Sequence, residues 1–504
     1  MKRLLFALLA VAAGLAALVL ALPLLSPPVV ATVGKDVLVN VPQPLAAQNS
    51  PTLLRNPLLP QNLIMAYRVD RLGFSAVLSS SMDGGGTWRH LTLPLPAGLD
   101  RPFAPDVAFA PDGTLFVSYV NLEGDGNVPG NVWVATSKDG GLTLSEPVKV
   151  AGRLAFQVRI AVDLENRAHL TWLQVAEVGL LRVAGGPNQI VASRAADDGK
   201  TWSAPVALSD PARERVGAAT PAVDSEGHLV VLYVDYKGDR RDFEFLDGPP
   251  AEEPFALVVS RSEDGGATFT PGNEIDAGLV PTRRFLVFLP EFPSLAAGPD
   301  ATMYASWSDG RNGDEDVFLR RSDDGGRSFG ALVRVNGNPL RDGTDQYLPR
   351  VAVAPDGRVD VLSLDRRNDP ESNVMTDAYL ASSSKGGKRF DEVRLSSASF
   401  SSRAGPYIDE KLPIEFGSRL GLTSGDDLVV AAWTDSREGT EDTGRQDIAA
   451  AAATYAAGPP DRGRLLLVVG LLGLSLLSLL GWFVAGGQGR RPRAAAEGKD
   501  ETVL

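Results

Sequence analysis

A short pattern, Ser-x-Asp-x-Gly-x-Thr-(Trp/Phe), recurs along the chain and limits its architecture more than any other feature. It reads Ser81, Asp83, Gly85, Thr87 and Trp88, then Ser137, Asp139, Gly141 and Thr143, with Leu144 in the aromatic place. A third copy keeps Asp197, Gly199, Thr201 and Trp202 but has Ala195 for the serine. Ser262, Asp264, Gly266, Thr268 and Phe269 form the fourth; Ser322, Asp324, Gly326, Ser328 and Phe329 form the fifth. A degenerate sixth keeps Ser383, Gly387 and Phe390, with Lys385 in place of the aspartate. Successive copies are 56 to 67 residues apart, and self-similarity at such a period signals a propeller or a solenoid. Each copy has the chemistry of a hairpin turn. Asp and Ser offer oxygens to nearby backbone N–H groups, Gly supplies a positive φ, and the aromatic packs inward. The boxed aspartates therefore read as structural.

Two alternating runs precede each box, such as NLIMAYRV (62–69) and FSAVLSSS (74–81). Aligned on the first run, Tyr67, Tyr119, Trp172, Tyr233, Trp307 and Trp433 share one position, with Ser363 the exception. A third run lies before each pair, as in DVAFAPDG (106–113) and RVAVAPDG (350–357), and a fourth follows the box, as in EPVKV (146–150). Period-two alternation bounded by Gly, Pro and Asp reads as strands, four to a unit. The last unit, about 417–455, has neither box nor fourth strand, whereas DVLVNVP (36–42) has no unit of its own. Pairing the two closes a ring and removes its exposed edges. The expected fold is all-β, a β-propeller of four-stranded blades over residues 32–457, with seven blades and six as the alternative.

Composition agrees with this and excludes other classes. The 52 Gly and 36 Pro are accounted for by turns, and the absence of Cys rules out disulfides and thiolate metal sites. His90, His169 and His228 are too scattered for a His-built zinc site. A net charge of −13 argues against a nucleic-acid partner.

The two ends read differently from the middle. Lys2 and Arg3 precede an apolar run from Leu4 to Leu25, so residues 1–31 are a signal peptide cleaved near Ala31 or a retained signal-anchor. After a linker, 458–464, residues 465–487 form an uncharged span long enough for a transmembrane helix, with Trp482 near its end. Arg490, Arg491 and Arg493 begin the tail, 488–504, and assign it to the cytoplasm. The lipid bilayer is thus one expected partner, and the propeller is expected outside the cytoplasm.

Strand direction alternates within a blade, so boxes and strand-one-to-two turns share one face. The longer strand-two-to-three loops and blade connections share the other, where binding residues are expected. Those loops repeat Asp-x-(Arg/Lys): Asp235 with Lys237, Asp309 with Arg311, Asp365 with Arg367, Asp435 with Arg437. The repetition reads as loop-stabilising ion pairs. No cofactor or metal is assigned; calcium at Asp309, Asn312, Asp314 and Asp316 stays open, because hard cations take such oxygens. Arg159, Arg350 and Arg419 stand at the start of innermost strands, and Asp106 holds that place in another blade. Converging guanidiniums suit a carboxylate or other anion, and equally suit channel-lining charges paired with Asp106.

The repeated boxes resemble those of the sialidase-like superfamily, the BNR or Asp-box repeat proteins, over about residues 34–455. The resemblance implies a propeller that binds a glycan, a small anionic ligand or a protein partner. The alternative it implies is an exo-glycosidase of sialidase type acting on terminal acidic sugars. On that alternative Arg159, Arg350 and Arg419 resemble the family's carboxylate-binding triad, and Asp106 its acid/base. Tyr347 or Tyr407 resembles the nucleophile, with Glu410, Glu415 or Glu291 beside it. The chain departs from the family in lacking a Phe/Tyr-Arg-Ile-Pro motif and in its seventh blade.

Overall fold

A computed structural model describes the chain apart from residues 1, 26–28, 72, 126, 180–181, 185–187, 240–252, 283–290, 385, 407–415, 458–461 and 488–504. It divides into two compact units, residues 33–454 and the joined terminal segments 1–32 and 455–504.

The larger unit is a seven-bladed β-propeller of antiparallel four-stranded sheets. Blade 1 runs from Gln48 to Thr92, blade 2 from Pro102 to Ala151, blade 3 from Ala155 to Ala207 and blade 4 from Val216 to Leu279. Blade 5 runs from Ser294 to Arg334 and blade 6 from Gln346 to Arg394, in each case with the innermost strand first. Blade 7 takes Gly421–Ser424, Leu428–Asp435 and Asp447–Ala457 from the C-terminal side and Val37–Leu38 from the N-terminal side. Val37 pairs with Ala450 and Leu38 with Ala449. Backbone bonds from Gly34 to Ala452 (2.8 Å) and Val39 to Ile448 (2.9 Å) lengthen the seam. Asn40 locks it by donating to Asp447 (2.9 Å) and accepting the Ile448 N–H (2.7 Å). The expected ring closure is thus present, and the six-blade alternative is excluded.

Each box is the turn its residues demand. Ser81 Oγ accepts the Gly85 N–H and donates to Asp83, both at 2.8 Å, while Asp83 accepts the Thr87 N–H (2.9 Å) and hydroxyl (2.7 Å). The same bonds recur at Ser137, Ser262 and Ser322. The pattern's glycine, two residues after the boxed aspartate, settles on the preceding blade: a Cβ at Gly141 would lie 2.6 Å from Ile64, one at Gly199 3.1 Å from Phe116, one at Gly266 2.9 Å from His169. Gly141→Ala is therefore expected to cost roughly 1–3 kcal/mol, from its φ of 80° and the clash with Ile64. Urea unfolding of wild type and variant measures it, and equal midpoints would refute the packing role.

The core lies between blades. Tyr67 packs with Val430 and Ala450 of blade 7, Trp172 with Phe103 and Phe116 of blade 2, and Tyr233 with Leu173 and Ile190 of blade 3. The aromatic row read from the sequence is thus the blade-to-blade wedge. In the next row His169 takes the place of Ile64, Phe116 and Val230, fully buried with its Nε2 2.8 Å from Asp163 Oδ2. Burial alone would raise the Asp163 carboxyl, but bonds from His169 and from the Arg167 side chain and N–H outweigh it and hold it at about 2. A depressed carboxyl stabilises the fold fully above its unfolded value of about 3.9, and that share is lost as pH falls through about 2. Asp163→Asn is expected to flatten stability against pH across that window, by a wild-type contribution of about 2 kcal/mol. Identical slopes would refute this.

The repeated Asp-x-(Arg/Lys) loops are ion pairs, as expected. Arg311 holds Asp309 (2.7 Å) and Asp276 (2.9 Å), Arg367 holds Asp365 (2.6 Å) and Glu392 (2.7 Å), and Arg437 holds Asp435 (2.9 Å) and Asp36 (2.7 Å). Each first aspartate also accepts the backbone N–H two residues on.

The smaller unit holds helices α1 (Lys2–Leu25) and α2 (Arg462–Gly487). Residues Leu466–Val484 of α2 are long and apolar enough to cross a membrane. Part of the expected linker and the whole tail, with Arg490, Arg491 and Arg493, lie outside the described residues.

Candidate functional site

A repeated distortion shapes the channel. In five innermost strands the register slips just before one position: between Asn49 and Thr52, Phe103 and Asp106, Phe156 and Arg159, Gly217 and Thr220, and Tyr347 and Arg350. At each slip a non-glycine residue has positive φ: Ser50 (57°), Ala104 (48°), Gln157 (57°), Ala218 (54°) and Leu348 (52°). Such bulges re-aim side chains, and left-handed backbone at a non-glycine residue costs of order 1–3 kcal/mol. They deliver Thr52, Asp106, Arg159, Thr220 and Arg350 into one tier around the axis.

Asp106 and Arg159 meet as expected. Arg159 Nη1 lies 3.2 Å from Asp106 Oδ1, and both side chains are about 4% exposed or less. Asp106 also accepts the Thr52 hydroxyl (3.1 Å) and the Ile160 N–H (3.1 Å), so it pins three blades together. Arg350 comes to the same cavity and keeps partial exposure to it. Arg419 is placed differently from the sequence alignment. Gly421, opposite Ala432, matches Arg350, opposite Leu362, so Arg419 stands two residues earlier, a tier nearer the loop face. From there it donates to Thr52 Oγ1 (2.7 Å) and to the Pro105 carbonyl.

The electrostatics are one-sided. Burial, then the charge of Arg159, pushes the Arg350 guanidinium down to about 10 against the pull of Asp106. Burial and Arg159 push Arg419 well down too, with Arg68 and Arg350 adding to it. A guanidinium stays charged at neutral pH, so these depressions register burial first and, after it, a repulsion from Arg159 that Asp106 offsets only in part. Nε of Arg159 is buried without a hydrogen-bond partner among the described residues, and Nη1 has the ion pair with Asp106 in place of a hydrogen bond. Below the guanidinium lies the Phe292 ring, 5.1 Å from its carbon.

Beside this tier is a cavity of about 230 Å³, lined by Thr52, Asp106, Arg159, Thr220, Leu295 and Arg350 among others. Its remaining walls, such as Ala108 and Val162, follow the tier in sequence, so it lies on the side of the strand-one-to-two turns. Alanines two residues past the tier, at 108, 161, 222, 296 and 352, keep that side wide. Among the described residues, Phe292, Ser418 and Arg419 close the loop side; all are buried, and Phe292 N–H reaches the Ser418 carbonyl (3.2 Å). The cavity thus lies toward the opposite face from the one expected.

The other sequence candidates do not gather there. Tyr347 faces away from the channel into its blade, fully buried, its hydroxyl 3.2 Å from Thr376 Oγ1 and 3.4 Å from Arg366 Nη2. Glu291 lines a separate cavity of about 60 Å³ with Trp307 and Leu348. Tyr407, Glu410 and Glu415 lie outside the described residues. Of the calcium candidates, Asp309 holds Arg311, Asp314 accepts the Gly343 N–H (3.0 Å), and Asp316 binds Arg334 (2.6 Å) and Asn312 (2.6 Å). Asp224, Glu226 and His228, in a strand-one-to-two turn, are the metal-capable group among the described residues. Sequence reasoning missed the bulges and Phe292. The alanine tier was visible in RIAV, DVAF, TPAV, SLAA and RVAV.

Box turns on a closed ring of four-stranded blades define a seven-bladed β-propeller, here with an arginine-rich channel. No family model and no curated protein matches the chain. Among solved structures it is similar to a protein of unknown function from Dyadobacter fermentans, with 13% identity, 84% of this chain and 99% of that one covered, and a TM-score of 0.47. An ulvan lyase follows at 11% identity, 82% and 95% coverage and 0.47. A Hadza microbial sialidase has 14% identity, 80% and 75% coverage and 0.43.

Proposed function

We propose that this is a membrane-anchored, extracytoplasmic β-propeller that binds a small anionic ligand, such as the carboxylate of an acidic sugar, in its central channel. The observation that carries the reading is Arg159: a buried guanidinium, held on one side by Asp106, whose Nε has no hydrogen-bond partner among the described residues, lining a cavity with Arg350 and backed by Arg419. Among the described residues, three guanidiniums with Asp106 as the counter-charge leave the tier short of negative charge, and an anion supplies both the charge and the acceptors. The apolar α2 supports the anchor.

Binding is favoured over hydrolysis. Asp106, the acid/base candidate, is engaged by Arg159, Thr52 and Ile160, and Tyr347 is turned toward Thr376 and Arg366. The test is calorimetric titration of the full chain in detergent with N-acetylneuraminate, glucuronate and citrate, against Arg350→Ala. At least one anion is expected to bind, and the variant to weaken it about 10- to 100-fold, the loss of a charge-assisted bond. Binding indifferent to the variant, or none at millimolar anion, would sink the reading. Turnover of a fluorogenic sialoside would favour the exo-glycosidase instead.

A further inference from the structure

We infer that the N-terminal helix is not removed but stays as a second membrane helix paired with α2. Within the terminal unit, Ser475 of α2 donates its hydroxyl to the Ala10 carbonyl of α1 at 3.0 Å, and a Cβ at Gly14 would lie 3.6 Å from the same hydroxyl. Ala10 is 5% exposed and Ala17 1%, and on α2 Val468 is 8%. Ala17 lies as far past Ala10 as Val468 lies before Ser475, the spacing of an antiparallel pair. Large apolar side chains point the other way: Leu8 is 60% exposed, Leu15 58%, Leu466 73% and Leu477 66%.

This is the reverse of a helix pair in water, which hides leucine and shows polar groups. Small residues at the contact, a hydroxyl bonded across it and leucine outside are how helices associate in lipid. With 24 residues, α1 is about 36 Å long, enough for a hydrocarbon core of about 30 Å. Lys2 and Arg3 at the start of α1 and the three arginines after α2 give both helices cytoplasmic outer ends. The protein is then a two-pass membrane protein whose terminal helices clasp each other in the bilayer. Cleavage near Ala31 would remove α1 and leave the Ser475 hydroxyl facing lipid.

The chain has no cysteine, which makes the test direct. Full-length Ala10→Cys/Ser475→Cys is oxidised in native membranes beside an outward-facing control, Leu8→Cys/Leu477→Cys, and intact mass and disulfide-linked peptides are read by mass spectrometry. The expected result is a mature chain that retains residues 2–31, with a crosslink at least tenfold more abundant in the first pair. A mature N-terminus near residue 32, or equal crosslinking in the two pairs, overturns the inference. Neither readout depends on ligand binding.

Discussion

Asp106→Ala is expected to destabilise the propeller by about 3–5 kcal/mol, the cost of stripping one partner from a buried ion pair. Asp106 neutralises Arg159, accepts the Thr52 hydroxyl and the Ile160 N–H, and so joins blades 1, 2 and 3 at the axis. Without it, Arg159, Arg350 and Arg419 are left with no carboxylate paired to them among the described residues. Denaturant unfolding of the purified protein measures the loss. Two companions make the cause legible. Asp106→Ala/Arg159→Met is expected to recover part of the stability, because it removes the orphaned charge. Millimolar anion is expected to restore Asp106→Ala more than wild type. A variant as stable as wild type would show that the channel charges are solvated rather than coupled.

The second large effect concerns closure. Of two soluble chains ending at residue 457, one beginning at 33 is expected to fold and one beginning at 43 is not. The segment between them supplies the outer strand of blade 7, the Gly34 and Val39 backbone bonds and the Asn40 lock on Asp447 and Ile448. Val39, 4% exposed, also fills the core between blades 7 and 1. Without these residues Asp447–Ala457 becomes an open edge, a template for aggregation. Size-exclusion chromatography and thermal melting decide it: a monomeric, cooperative melt from the shorter chain would mean that the ring holds without its seam.

Where sequence reading succeeded, the reason was local. A box is closed by bonds among residues at most four apart, as Ser81 to Gly85 and Asp83 to Thr87 show, so residue type at fixed spacing is enough to recognise it. Blade count and closure followed from counting strands, and the aromatic row from period-two alternation. The channel tier was partly legible: Asp106, Arg159 and Arg350 do meet at one cavity. Arg419 was misaligned with them because blade 7 has no boxed unit to fix its register, and only the pairing of Gly421 with Ala432 sets it. Tyr347 looked ready to enter the channel, but the bulge at Leu348 separates its side from that of Arg350. A bulge at a non-glycine residue has no residue signature.

By itself, then, the sequence determined the repeat, the turn at each box, the strands between and the ring they must close, because each depends on neighbours in the chain and on a two-residue period. Only the tertiary structure decided which charges face the axis, that Asp106 is a staple between blades, and on which side the cavity lies. Those depend on five bulges and on side chains from six blades meeting at one point, hundreds of residues apart in sequence, where a shift of one position turns an arginine from the channel into the core.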